Sequence, residues 1–226
     1  MKKNYRGWIF PGIACCMLLG LYACKKMDAT YIDYIRSGEI NYAGKADSLK
    51  VYPGKGRIEL RWLFNPRVNK AVVYWGNGKM QQEFQIVPAG DEWVRARLNN
   101  LSEGSYQFDV YTYDQKGARS VRVSTSGIVY GNTYEQTLVN RSIRSASVSG
   151  SDVTINWYEA DEDAAAVELT YKDHDGTVHV ITDPVTEQQT VLTNYLPGSE
   201  ITYRTLFVPG GTAIDTFYTS RAAIVP

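Results

Sequence analysis

The sequence predicts an all-β chain of two tandem β-sandwiches behind an amino-terminal export signal, and three observations predict it. Apolar and polar residues alternate over short runs broken by Gly, Pro, Asn and Asp, with no long stretch at helical spacing. The apolar landmarks of the first half return 95 positions later in the second half. The chain has 226 residues, enough for two units of about 90–100 residues that each bury a core.

Charge and composition exclude several classes. Lys plus Arg and Asp plus Glu both number 24, so the formal net charge is zero. A sequence-independent nucleic-acid or anionic-membrane binder would need a basic excess, so no nucleic-acid partner is expected. Two histidines and three cysteines leave little for His/Cys metal chemistry, and no metal or cofactor is expected.

Lys2, Lys3 and Arg6 precede an apolar stretch from Trp8 to Ala23 that contains Pro11 and Gly12. It is short for a membrane span and suits a cleaved signal. Leu21-Tyr22-Ala23-Cys24 resembles the lipobox of bacterial lipoproteins, with Tyr22 in place of the usual small residue, so Cys24 is the expected lipidation site. Cys15 is the rival, but cleavage there leaves too short an apolar run. An uncleaved membrane helix and plain secretion are the other readings. With cleavage at Cys24 no second cysteine remains, and the chain keeps 21 basic against 24 acidic residues. Acyl chains at about 0.8 kcal/mol per buried CH₂ would hold it on a membrane, placing it at the outer membrane or cell surface.

Residues 57–63 put Ile58, Leu60 and Trp62 on one face and Arg57, Glu59 and Arg61 on the other. In GSYQFDVYTYD, Tyr106, Phe108, Val110 and Thr112 point inward, and Gln107, Asp109, Tyr111 and Tyr113 outward. Lys116-Gly117 turns into a strand over 120–124 with Val121 and Val123 on one face. The shift of 95 sets Trp62 on Trp157, Leu60 on Ile155, Ile58 on Val153, Leu101 on Leu196, Tyr106 on Ile201 and Phe108 on Tyr203. GNG at 76–78 and DHDG at 173–176 read as hairpin turns.

A Trp on the second strand, a Leu before a Gly-containing turn and an aromatic opening the sixth strand resemble fibronectin type III (immunoglobulin-like) sandwiches. Tyr106 takes the tyrosine-corner position, which is Ile201 in the second copy. The expected layout is signal 1–23, tether 24–36, first sandwich 37–128, linker 129–140 and second sandwich 141–226. YIRSGEINYAGKADSLKVYPGKGRIELRW, AVVYW, LSEGSYQFDVYTYD, GARSVRV, IVYGNTYEQTLVNRSI and TAIDTFYTS carry a closer resemblance. On these the chain is identified as a member of a Bacteroidetes surface lipoprotein family, domain-of-unknown-function family 4998, over residues 24–226. The resemblance implies a surface lipoprotein, often with a carbohydrate-binding-like discoidin module nearby; this chain ends at Pro226, just past the second sandwich.

His174 and His179 lie in no nucleophile-elbow setting, and no triad is expected. Glu159, Asp161, Glu162 and Asp163 cluster in a loop without calcium-loop spacing and read as solvated acids. DHDG reads as a turn. Trp62 and Trp157 belong to the core. Matching Val72 and Tyr74 to Val167 and Leu169 turns Trp75 outward, where it would join Tyr111 and Tyr113 on one exposed sheet, with Trp93 on the opposite one. These four aromatics are the candidate platform for a glycan or a surface-protein partner, because exposed rings stack on sugar C–H faces. Their burial between domains or under loops is the competing reading. Tyr130 and Tyr134 are expected to wedge the sandwiches together. Asp47-Ser48-Leu49 matches a tripeptide O-glycosylated in exported Bacteroidetes proteins, equally explained by chance. The expected function is a non-catalytic accessory carbohydrate-binding or spacer component in polysaccharide capture; the alternative is a scaffold that docks another surface protein.

Overall fold

The computed structural model describes residues 42–226 apart from 88, 89 and 91. The signal, Cys24 and the 24–36 tether lie outside the described residues.

Seven strands form the first sandwich: β1 (Lys50–Pro53), β2 (Arg57–Leu63), β3 (Val68–Trp75), β4 (Met80–Gln85), β5 (Trp93–Asn99), β6 (Gly104–Asp114) and β7 (Val123–Val129). A short helix α1 (Asn132–Thr137) follows. The second sandwich holds β8 (Ile143–Ser149), β9 (Asp152–Trp157), β10 (Ala164–Lys172), β11 (Val178–Pro184), β12 (Gln189–Leu192), β13 (Ile201–Phe207), β14 (Phe217–Tyr218) and β15 (Ala222–Ile224).

The sheets repeat. In the first copy β1-β2-β5 faces β4-β3-β6-β7; in the second β12-β9-β8 faces β11-β10-β13-β14, with β15 also on β13. Every pairing among these fifteen strands is antiparallel. A three-stranded sheet of first, second and fifth strands over one of fourth, third, sixth and seventh is the fibronectin type III arrangement, so the fold follows from the strand order itself. The last position of the second copy is split: β14 pairs Leu206 and Phe207, β15 pairs residues 201–203. Between them buried Thr219 bonds Asn140 and the Thr205 backbone.

Ile58, Leu60, Trp62, Ala96, Leu98, Phe108 and Val110 fill the first core; Val153, Ile155, Trp157, Leu169, Leu192 and Ile201 fill the second. Each fully buried large side chain contributes about 1.5–3 kcal/mol. Tyr106 Oη donates to the Ser102 carbonyl at 2.9 Å, closing the tyrosine corner. The sixth strands do not match at the expected shift of 95. Val73 of β3 pairs with Val110 where Leu169 of β10 pairs with Tyr203, so Ile201 takes the place of Phe108 and not of Tyr106. In the turn before β13 buried Tyr195 donates to the Ser199 carbonyl. Gly176 sits at φ 79° in the DHDG turn, a conformation that glycine adopts without strain.

Two strand expectations are corrected. Trp75 is not outward: it is 8% exposed and packs in the core with Ala71 and Val73. The third strands match with a shift of 96, since Ala71, Val73 and Trp75 take the places of Val167, Leu169 and Tyr171. The second copy has one more residue between Trp157 and β10, and a one-residue slip turns every side chain to the other face. Likewise β7 begins at Val123, and Val121 is 51% exposed before it rather than sharing its inward face.

Candidate functional site

The outer face of β4-β3-β6-β7 carries the tyrosines. Register sets Tyr74 opposite Asp109, Val72 opposite Tyr111 and Lys70 opposite Tyr113. Tyr74 meets Tyr111 edge-on at 5.8 Å between centroids. The Arg119 guanidinium lies 4.7 Å over Tyr111, and Lys70 Nζ 4.9 Å over Tyr113 while pairing with Glu83 at 3.2 Å. Asp109 takes Ser124 Oγ at 2.6 Å and Arg122 at 3.6 Å. Tyr111 and Tyr113 thus share an exposed sheet as the alternation of β6 predicts. Their companion is Tyr74 and not Trp75; the shift of 96 in the third strand is the signal that finds it. A ring under a cation is held by about 0.5–1 kcal/mol at an exposed site, and a stacking sugar must displace that cation.

Trp93 lies on the other sheet, half-buried, with Lys50 Nζ 4.9 Å from its ring. On the same sheet Glu59, opposite Arg97, points away from the core yet is 1% exposed. It accepts Arg61 Nε at 2.6 Å and Arg97 Nη2 at 2.6 Å, while Arg61 stacks on Tyr52 at 3.9 Å. Burial alone would raise the Glu59 pKa, but the two arginines outweigh it and hold the carboxyl below its ordinary value.

The junction between the sandwiches is densely built. Arg57 of β2 donates Nε to Asp215 Oδ2 at 2.9 Å and Nη2 to Oδ1, and the Lys55 N–H reaches Oδ2 at 2.8 Å. The Ile214 N–H donates to the Pro53 carbonyl at 2.7 Å. Lys55 pairs with Glu135 of α1. Glu103, in the turn before β6, accepts the Thr133 and Tyr134 N–H groups at 2.9 and 2.7 Å, occupying donors that the first turn of a helix leaves open. Tyr130, Tyr134 and Phe217 meet at 4.5–5.7 Å over Phe207 and Ala164, so the two linker tyrosines do wedge between the sandwiches. Burial, with Asp163 adding to it, pushes the Tyr134 hydroxyl up to about 12. At Gly54 any Cβ would stand 2.6 Å from Asp215 Oδ2, so only glycine permits this approach.

The remaining polar groups do structural work. Asp163 Oδ1 accepts the Gly210 N–H, and among the described residues no three His, Cys, Asp or Glu side chains gather around a metal position. His179 Nε2 lies 2.8 Å from Asp173 Oδ2 and its ring stacks on Tyr171 at 5.1 Å. Asp173 also takes the Asp175 and Thr177 N–H groups, so the pair pins the hairpin.

Among solved structures the chain is similar to the FN1–FN3 domains of chicken CNTN1, with 14% identity and a TM-score of 0.46 over 83% of this chain and 67% of that one. It is also similar to a two-domain fibronectin type III segment of chicken tenascin, with 16% identity and a TM-score of 0.32 over 81% and 99%. No curated protein matches. A family model described as a domain of unknown function matches residues 24–217, nine residues short of the carboxyl terminus. The chain belongs to that family, domain-of-unknown-function family 4998.

Proposed function

We propose that this protein is a non-catalytic scaffold, lipid-anchored through Cys24 at the outer membrane or cell surface, that holds out and docks a partner protein. The observation that supports it is the junction, where an ion pair, a helix cap, backbone bonds and an aromatic cluster fix two sandwiches that a free linker would leave swivelling. Such a unit suits presentation of faces at a set distance and angle. The test is photo-crosslinking from Tyr111 and Tyr218 on cells making the anchored protein, with a Glu103→Ala/Asp215→Ala variant in parallel. A single stoichiometric partner, lost when the junction is loosened, supports the scaffold; the absence of any stoichiometric partner sinks it. Release of Cys24→Ala from the membrane fraction tests the anchor.

The row Tyr74, Tyr111 and Tyr113 favours a second reading, an accessory carbohydrate-binding component in polysaccharide capture. Saturable binding of a neutral glycan that Tyr111→Ala weakens supports it, and no binding to a neutral glycan panel discards it.

A further inference from the structure

A buried cation without a carboxylate stands at the start of the second sandwich. Arg141, just before β8, is 5% exposed. Its guanidinium donates Nε to the Tyr158 carbonyl and Nη1 to the Glu187 carbonyl, both at 2.8 Å, and lies 5.7 Å from the centre of the Trp157 ring. Among the described residues Nη2 has no hydrogen-bond partner and no carboxylate pairs with the group. Burial lowers its pKa, and no neighbouring acid offsets that. Buried charges are ordinarily paired, because an unpaired one loses its hydration with nothing in return.

The first sandwich is an internal control. Its Leu63 N–H donates to the Asp47 carbonyl at 2.9 Å, where the Tyr158 N–H donates to the Ser142 carbonyl at 3.0 Å. Arg141 therefore takes the place of Ala46, which is 1% exposed and belongs to the first core. The same backbone arrangement closes around a methyl group, so the fold alone does not call for a guanidinium.

Arg141 lines a cavity of about 220 Å³ where the linker passes β13. Val139, Ala164 and Phe207 give it an apolar wall, and Glu159 and Asp161, both exposed, share it. We propose that this cavity binds a small amino acid as its zwitterion, the carboxylate on the Arg141 guanidinium and the ammonium on Glu159 and Asp161. A guanidinium fork matches the two oxygens of a carboxylate. A simple anion would be repelled by the two acids and a simple amine by the arginine, whereas a zwitterion meets an opposite charge at each end. The Glu159 carboxylate has no hydrogen bond or ion pair among the described residues, and one Asp161 oxygen accepts the Asp163 N–H at 3.2 Å. Pockets for drug-sized ligands run from about 300 to 1,000 Å³, so this smaller one suits a single amino acid and not a peptide or a polysaccharide. The inference is independent of the scaffold reading and of the tyrosine row on the first sandwich.

The test titrates the full chain, in a non-ionic detergent, with glycine, serine, leucine and phenylalanine in a calorimeter. Alongside them go 4-methylpentanoate and 3-methylbutylamine, which are leucine without its ammonium and without its carboxylate. The expected result is saturable binding of at least one amino acid, with both single-charge compounds weaker than the best of them by about tenfold or more. Glu159→Gln/Asp161→Asn should weaken that binding by about tenfold and remove the preference over 4-methylpentanoate, while Glu162→Gln, beside them but outside the cavity, leaves it within about twofold. Arg141→Lys keeps a charge but gives up the fork, and should weaken binding by about tenfold or more. Its melting temperature, read in parallel, separates lost binding from lost folding. The Glu159→Gln/Asp161→Asn variant decides the matter whether or not Arg141→Lys folds, because its new amide still accepts the Asp163 N–H. No binding of any of the amino acids, binding of either single-charge compound as tight as the best of them, or unchanged binding in Glu159→Gln/Asp161→Asn would overturn the proposal.

Discussion

Arg57 and Asp215, 158 positions apart in the chain, meet through two hydrogen bonds across the junction, and the same carboxylate takes the Lys55 N–H. The Arg57 hydrogen bond is the main cause holding the Asp215 pKa below its ordinary value. A depressed carboxyl contributes stability above its unfolded pKa of about 3.9 and loses it as pH falls through the folded one. The junction should therefore hold constant from about pH 8 to 5 and loosen below about pH 4. Asp215→Ala should cost about 1–2 kcal/mol at neutral pH, discounted for partial exposure, and abolish this acid limb. Thermal unfolding from pH 3 to 8, with residual dipolar couplings to report the angle between sandwiches, checks both.

Trp75→Ala should cost about 3–5 kcal/mol, because it empties a core position. Tyr111→Ala, on the half-exposed outer face, should cost less than about 1 kcal/mol. Urea denaturation of the two variants separates them; near-equal values would contradict the assignment of Trp75 to the core.

Tyr106→Phe removes only the bond to the Ser102 carbonyl and should lower stability by about 0.5–1.5 kcal/mol. Ile201→Tyr gains no matching bond, since Tyr195 already spans that turn and Ile201 is fully buried; it should destabilise by overpacking. Denaturation midpoints of the pair decide the point.

Glu59→Gln leaves two guanidiniums against a neutral amide. It should cost about 1–3 kcal/mol, and most of that cost should vanish below the Glu59 folded pKa, where the parent also loses the charge. Stability curves of the two proteins against pH should converge in acid.

What was legible in the sequence depended on how far the information had to travel. The alternation of β2 and β6 is local, so Trp62, Phe108 and the outward Tyr111 and Tyr113 could be read directly. The two copies are in step at 95 for β2 and β9 but at 96 for β3 and β10; a single loop residue decided the face of Trp75 and hid Tyr74. The tyrosine wedge was legible because Tyr130 and Tyr134 lie in the linker itself. Asp215 was not, because nothing near it in sequence marks Arg57 as its partner. Arg61 was visible as an outward residue, yet its sharing of the Glu59 carboxylate with Arg97 exists only once register sets β5 beside β2.

Glu103, reaching from the first sandwich to the first turn of α1, has an entropic consequence. A partner that touches both sandwiches of a freely jointed tandem must freeze the joint, at about 1–2 kcal/mol per ordered linker residue. Here residues 130–138 are ordered by the helix, its cap and the aromatic cluster before anything binds. Two weak contacts, one on each sandwich, then act at a high effective concentration of one for the other, and their affinities combine almost without loss.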